Sequence, residues 1–166
     1  MTSEIKELPE ALACKGISVR TTNNAEISHE TAKLGRLWQK FYQNHVGNLP
    51  EGEDIYGIYY NYESDDLVGA FDVVAGWKVS PEQAETDPLN HANASHVVNV
   101  TIPAGKYLVF SEKGNMPNTV MNAWEKAWEY FNDASCSHTR TYNVDFEHYI
   151  AGNLEYGQVD VYIGIE

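Results

Sequence analysis

The sequence predicts an α+β protein: a strand-helix-strand-strand unit present twice, the two copies related by a pseudo-twofold axis and sharing an antiparallel sheet. Three observations lead there. Two stretches repeat large side chains at helical spacing: Leu34, Leu37, Trp38, Phe41 and His45 in the first, and Val120, Trp124, Ala127, Trp128 and Phe131 in the second. Each stretch is preceded by a strand-like run and followed by two more. Between the copies, residues 80–95 are polar, with Pro81, Pro88 and three acids, and read as a connection. The chain is therefore expected to be one domain over residues 1–166, with repeats at about 10–80 and 95–166. Each half alone would leave a sheet face and a helix face unpaired, so the halves should pack together with a groove between them.

Taken in order, residues 12–21 alternate Ile17 and Val19 against Ser18 and Arg20, and the pair Asn23-Asn24 ends the strand in a turn. Ser28 is placed to cap the first helix, and Gly47, Asn48 and Pro50 stop it. Two strands follow, at 54–62 and 70–79, joined by the polar turn Glu63-Ser64-Asp65-Asp66. In the second half 96–102 and 105–112 read as strand on either side of Pro103-Ala104, which is expected to bend one long segment. Gly114 and Pro117 introduce the second helix and Asn132-Asp133 closes it. A loop with Cys136 and His138, a strand at 143–150, a Gly-Asn turn and a last strand at 158–165 complete the chain.

The charge balance excludes several functions. With 24 acidic against 11 basic residues the net charge is −13, and phosphate contacts need clustered Lys and Arg, so direct nucleic-acid or anionic-membrane binding is not expected. The first ten residues hold no apolar signal segment and no stretch is long enough to span a membrane, so the protein is expected to be soluble and cytoplasmic. Without a secretory signal the sequons at Asn93 and Asn99 carry no weight. Cys14 and Cys136 lack metal or redox spacing, and the six histidines have no partner at ligand spacing, so neither metal nor cofactor is expected.

The site candidate is Glu147. In an extended 143–150 strand, Val144, Phe146, His148 and Ile150 point one way and Asp145, Glu147 and Tyr149 the other. That second face either meets water, the ordinary fate of an acid, or lines the groove, where a carboxylate beside a tyrosine ring suits an apolar cation. Tyr149 and Tyr107 are the next candidates, each readable as a core tyrosine instead. Trp38, Trp124 and Trp128 sit on apolar helix faces and read as core, or, at a cleft edge, as a platform on which a planar ligand stacks, with Trp124 the candidate wall. Tyr60 and Tyr62 share a strand face with Tyr56 and Ile58, a row that either floors a pocket or covers a helix. Trp77 on the next strand carries the same ambiguity, and Glu63 reads as a turn residue.

Several segments together resemble the GyrI-like family, the effector-binding domains of bacterial transcription activators. They are Gly16-Ile17-Ser18-Val19-Arg20-Thr21, Leu37-Trp38-Gln39-Lys40-Phe41, Tyr56-Gly57-Ile58-Tyr59, Tyr62-Glu63-Ser64-Asp65, Ile102-Pro103-Ala104-Gly105-Lys106-Tyr107, Ala123-Trp124-Glu125-Lys126-Ala127-Trp128 and Phe146-Glu147-His148-Tyr149. They cover nearly the whole chain in collinear order. The resemblance implies a central cleft that takes lipophilic, often cationic compounds against a buried acid, a role that falls on Glu147, with Tyr149 in the same motif. It also implies the freestanding or integron-cassette type, since 166 residues leave no room for a DNA-binding module. Other branches of the family imply two alternatives: a hydrolase of reactive cyclopropane-bearing compounds with Glu147 as general base, and a modulator of a protein partner such as gyrase or a regulator. Oligomeric state and ligand identity stay open.

Overall fold

The computed structural model describes residues 3–27, 30, 32–44, 54–64, 69–79, 97–116, 118–152 and 155–166. The expectations placed on Ser28, on His45, on the helix stop at Gly47 to Pro50 and on the 80–95 connection lie outside them. Within them run β1 (Ser3–Leu8), β2 (Leu12–Thr21), α1 (Asn23–Ile27), α2 (Leu34–Asn44), β3 (Ile55–Tyr60), β4 (Phe71–Lys78), β5 (Val97–Ile102), β6 (Gly105–Asn115), α3 (Asn118–Asn132), β7 (Arg140–Tyr149) and β8 (Tyr156–Ile165). Among the described residues no helix is long and apolar enough to cross a membrane.

All eight strands join one antiparallel sheet in the order β1-β6-β8-β7-β3-β4-β2-β5. The order is symmetric about the β7–β3 pair: β3, β4, β2 on one side answer β7, β8, β6 on the other. The duplicated unit is therefore β2-α2-β3-β4 followed by β6-α3-β7-β8, with α1 an added turn of helix where the sequence suggested only a turn at Asn23-Asn24.

The sheet is rolled. Strands β5 and β6 lie six intervals apart in the order, a flat distance of about 29 Å at roughly 4.8 Å per strand. Yet Ile102 and Gly105 are three residues apart, at most about 11 Å. The Pro103-Ala104 pair thus ends one strand and starts another at the far side of the sheet, which corrects the expectation of a bend within a single strand. A second short connection does the same job, since Leu8 of β1 pairs with Gly105 while Leu12 of β2 pairs with Ile102. Where β2 and β4 pair, Gly16 faces Gly76, and a Cβ on Gly16 would lie 2.2 Å from the Ala75 carbonyl oxygen. Only glycine permits that approach.

Rolling divides the apolar side chains into two cores. The inner face packs Cys14, Tyr56, Ile58, Val74, Val100, Ile102, Tyr107, Val109, Phe146 and Tyr162, which come from every strand between β6 and β5. At its centre Phe146 and Tyr162 stack at 4.3 Å, a contact of about 0.5–1.5 kcal/mol beyond burial. The outer face carries the helices. Helix α2 lies over β2 and β4, and α3 over β6 and β8, so the seam between the helices falls above the two middle strands, β3 and β7. Their apolar stripes bury Leu37 and Phe41 from α2 and Val120, Ala123, Trp124 and Ala127 from α3.

Candidate functional site

The floor of that seam is the β3–β7 ladder, where Gly57 pairs with Glu147, Ile55 with Tyr149 and Tyr59 with Asp145. Strand alternation sends Asp145, Glu147 and Tyr149 outward to the helices and Val144, Phe146 and His148 to the inner face, as the sequence pattern required. Glu147 is 3 % exposed. Its Oε2 accepts hydrogen bonds from the Tyr59 hydroxyl at 2.8 Å and the Trp124 indole N–H at 2.7 Å, and its Oε1 accepts one from the Tyr149 hydroxyl at 2.8 Å. Among the described residues no Lys, Arg or His pairs with it.

Four aromatic rings enclose the carboxylate, one tyrosine and one tryptophan from each half. Trp38 meets Tyr149 edge-on at 5.3 Å, and Trp124 meets Tyr59 at 4.9 Å. Gly57 provides the space. A Cβ there would stand 2.6 Å from Glu147 Oε1 and 2.9 Å from Trp38 Cζ2, so any larger residue would displace both. Burial raises the Glu147 pKa above the ordinary carboxylate value, and the three donors, Trp124, Tyr149 and Tyr59, pull it partly back. Burial first, and then the Glu147 charge, lift the Tyr59 and Tyr149 hydroxyls well above the usual tyrosine range, so both remain donors.

Two residues along the same strand face sits a carboxylate treated in the opposite way. Asp145, wholly buried, is ion-paired with Arg140 at 2.7 Å, and it also accepts the Tyr62 hydroxyl and the Gly164 N–H. The Arg140 guanidinium lies over the Tyr142 ring at 4.3 Å. Burial disfavours that cation, and the Asp145 charge, Tyr62, the hydrogen bond to Asp145 and Tyr142 together more than restore it, so its pKa ends raised. The strand thus holds one buried acid with a resident cation and one without.

Of the sequence candidates, Glu147, Tyr149 and Trp124 come together. Tyr107 and Tyr60 face the inner core, on the opposite side of the sheet; the Tyr107 hydroxyl donates to the Pro103 carbonyl at 2.7 Å. Tyr62 reaches Asp145 rather than Glu147, because Asn61, at φ 57°, breaks the alternation that would have kept it beside Tyr60. Trp77 packs under α2 with its ring 6.1 Å from Phe41. Glu63 closes the β3–β4 turn through the Ala70 N–H, a structural task. Sequence reasoning passed over Tyr59, Gly57 and the site role of Trp38. The signal for Tyr59 was its parity: it is one residue out of step with the Tyr56, Ile58, Tyr60 row. Among the described residues no group of three His, Cys, Asp or Glu is arranged to hold a metal ion.

A rolled antiparallel sheet with a helix on each half and a buried acid under the seam defines the class: this is the GyrI-like effector-binding fold. The chain belongs to the integron-associated effector binding protein family, whose model matches residues 4–165. An integron cassette protein from the mobile metagenome of Vibrio cholerae is similar to it, at 37% identity and TM-score 0.80 over 99% of this chain and 95% of that one. Two solved structures share the fold at lower identity. One is SAV2435 bound to tetraphenylphosphonium, with 19% identity, TM-score 0.70 and coverage of 100% of this chain and 94% of that one. The other is the EcmrR C-terminal domain, with 14% identity, TM-score 0.52 and coverage of 99% and 97%. Among curated proteins no sequence matches.

Proposed function

We propose that the protein binds lipophilic monocations in the seam between α2 and α3, with Glu147 as the counter-charge and Trp38, Trp124, Tyr59 and Tyr149 as the walls. The observation that carries this reading is the contrast on β7: Asp145 has its own arginine, whereas Glu147, also buried, has only neutral donors among the described residues. A fold usually pairs a buried charge, and a buried charge left unpaired with its hydrogen bonds made marks a place where a ligand completes the pair. Aromatic faces around it favour an organic cation over a hydrated metal ion, which keeps its waters and oxygen ligands. Membership of an effector-binding family supports the reading, and so does the tetraphenylphosphonium complex of a protein with the same fold.

The rings now fill the space above the carboxylate, so binding requires Trp38 and Trp124 to swing or the helices to part. Tryptophan fluorescence should report it directly. Tetraphenylphosphonium is expected to quench in a saturable way, and tetraphenylborate, the same shape with the opposite charge, should leave the signal unchanged. Equal response to both ions would remove Glu147 from the argument, because a merely apolar cavity does not read the sign of a charge.

A further inference from the structure

We infer that a second cleft, between β2 and α2, is a binding site for a small organic anion, a carboxylate or sulfonate carried on one or two rings or a short chain. The cleft is lined by Ile17, Ser18, Val19, Lys33, Arg36, Leu37 and Lys40 and measures ≈ 240 Å³. Its floor is apolar, from Ile17, Val19 and Leu37, and its rim is cationic. At 100° per residue, Lys33, Arg36, Leu37 and Lys40 fall within an arc of roughly 100° on α2 and the turn before it, so the three cations form a stripe instead of being spread around the helix.

Two acids on the neighbouring elements have hydrogen-bond or ion-pair partners of their own. The Glu26 carboxylate accepts the Thr21 hydroxyl at 2.6 Å and the backbone N–H groups of Lys33 and Leu34 at 2.9 and 3.1 Å. Asp72 pairs with Arg20 at 3.2 Å. Lys33 is anchored by donating its ammonium to the Arg20 carbonyl at 2.9 Å. Arg36 and Lys40 form no ion pair among the described residues, in a chain with more than twice as many acids as bases. Solvated lysines need no explanation singly. Three cations lining one apolar cleft of an otherwise acidic protein focus a local positive potential over an apolar floor. That combination is complementary to an amphipathic anion and repels the cations proposed for the Glu147 seam.

Size limits the ligand. A cavity of about 150 Å³ accommodates benzene, and drug-sized pockets begin near about 300 Å³, so the cleft suits a single aryl group or a fused pair. Naphthalene-2-sulfonate is a suitable probe, with naphthalene-2-sulfonamide as its uncharged counterpart. Titrated into ¹⁵N-labelled protein, the sulfonate should give saturable shifts at Ser18, Val19, Arg36, Leu37 and Lys40. Its affinity should fall about tenfold or more in the exposed double variant Arg36→Glu/Lys40→Glu and weaken with added salt, while the sulfonamide should bind about tenfold less well. Shifts centred on Trp38, Trp124 and Tyr149, equal binding of sulfonamide and sulfonate, no saturable shift, or an affinity untouched by the double charge reversal would each overturn the inference. The outcome is independent of the cation site, which Glu147→Gln tests separately.

Discussion

Replacing Glu147 by Gln keeps the shape of the side chain and removes its charge, so the loss of affinity for tetraphenylphosphonium measures the counter-charge alone. With the phosphonium centre shielded by its phenyl rings, a separation of about 6 Å from a carboxylate oxygen sets the scale of the attraction. At an effective dielectric of about 20 the attraction is then about 2.8 kcal/mol, or close to 100-fold in affinity. Isothermal titration at pH 8, where the carboxyl is most fully ionised, is the assay. The variant also has a built-in control for folding. Burial raises the pKa of Glu147, so in the free protein this residue favours folding fully below the unfolded carboxylate value of about 4.3, and that contribution is lost as pH rises through the raised folded value. The substituted chain should therefore lack this slope and melt no lower than the parent at neutral pH. A variant that is folded by this criterion and binds within about threefold of the parent would refute the role given to Glu147.

Three further outcomes follow from the same geometry. Affinity of the parent for the phosphonium ion should increase with pH and then level off, with a proton released on binding at the lower pH, because the cation pulls down a pKa that burial has pushed up; titrations in buffers of different ionisation enthalpy would show it. Tyr59→Phe removes one of three donors to the carboxylate, a bond to a charged group of about 1.5–3 kcal/mol, and should raise the Glu147 pKa further, visible in its carboxyl ¹³C titration. Asp145→Asn strands the buried Arg140 and should cost about 3–5 kcal/mol in urea unfolding, a loss that adding ligand to the seam only partly restores.

The periodicities were legible wherever burial is one-sided. Alternation on β7 separated Glu147 from Phe146 correctly, and the helical spacing of Leu37, Trp38 and Phe41 or of Val120, Trp124 and Ala127 marked the faces that now cover the sheet. Illegible were features set by remote geometry. β1 is an edge strand with only Ile5 and Leu8 apolar among charges, too weak a pattern to register against its β6 partner. Nothing local to Pro103-Ala104 reveals that its two flanks belong to opposite ends of a rolled sheet. Tyr56, Ile58 and Tyr60 drew notice as a row, yet both sheet faces are buried here, so an aromatic row no longer identifies the ligand side. The row points to Tyr60 and passes over Tyr59 for that reason, while Tyr107 stands out in the sequence only by its place after the Ile102-Pro103-Ala104-Gly105 turn. Parity on a central strand assigns a face, and only the position of the helices says which face holds the seam.

Why the fold tolerates Glu147 at all follows from comparing its two stable alternatives. An apolar residue of similar volume would fill the space beside Gly57 without any desolvation cost, and a resident arginine would neutralise the charge, as Arg140 does for Asp145. The chain adopts neither. It supplies three neutral donors, which reduce the penalty of burying the charge but leave burial the dominant influence on its pKa. On the proposed function, the remaining deficit is the part a ligand's charge relieves, and a cation able to leave water for an aromatic lining is the ligand that reaches it. On the proposed reading, stability withheld from the free protein becomes selectivity for the bound one. The closed rings fit this account: Trp38 and Trp124 belong to different helices, so a cation that inserts between them acts on both halves of the duplicated fold at once.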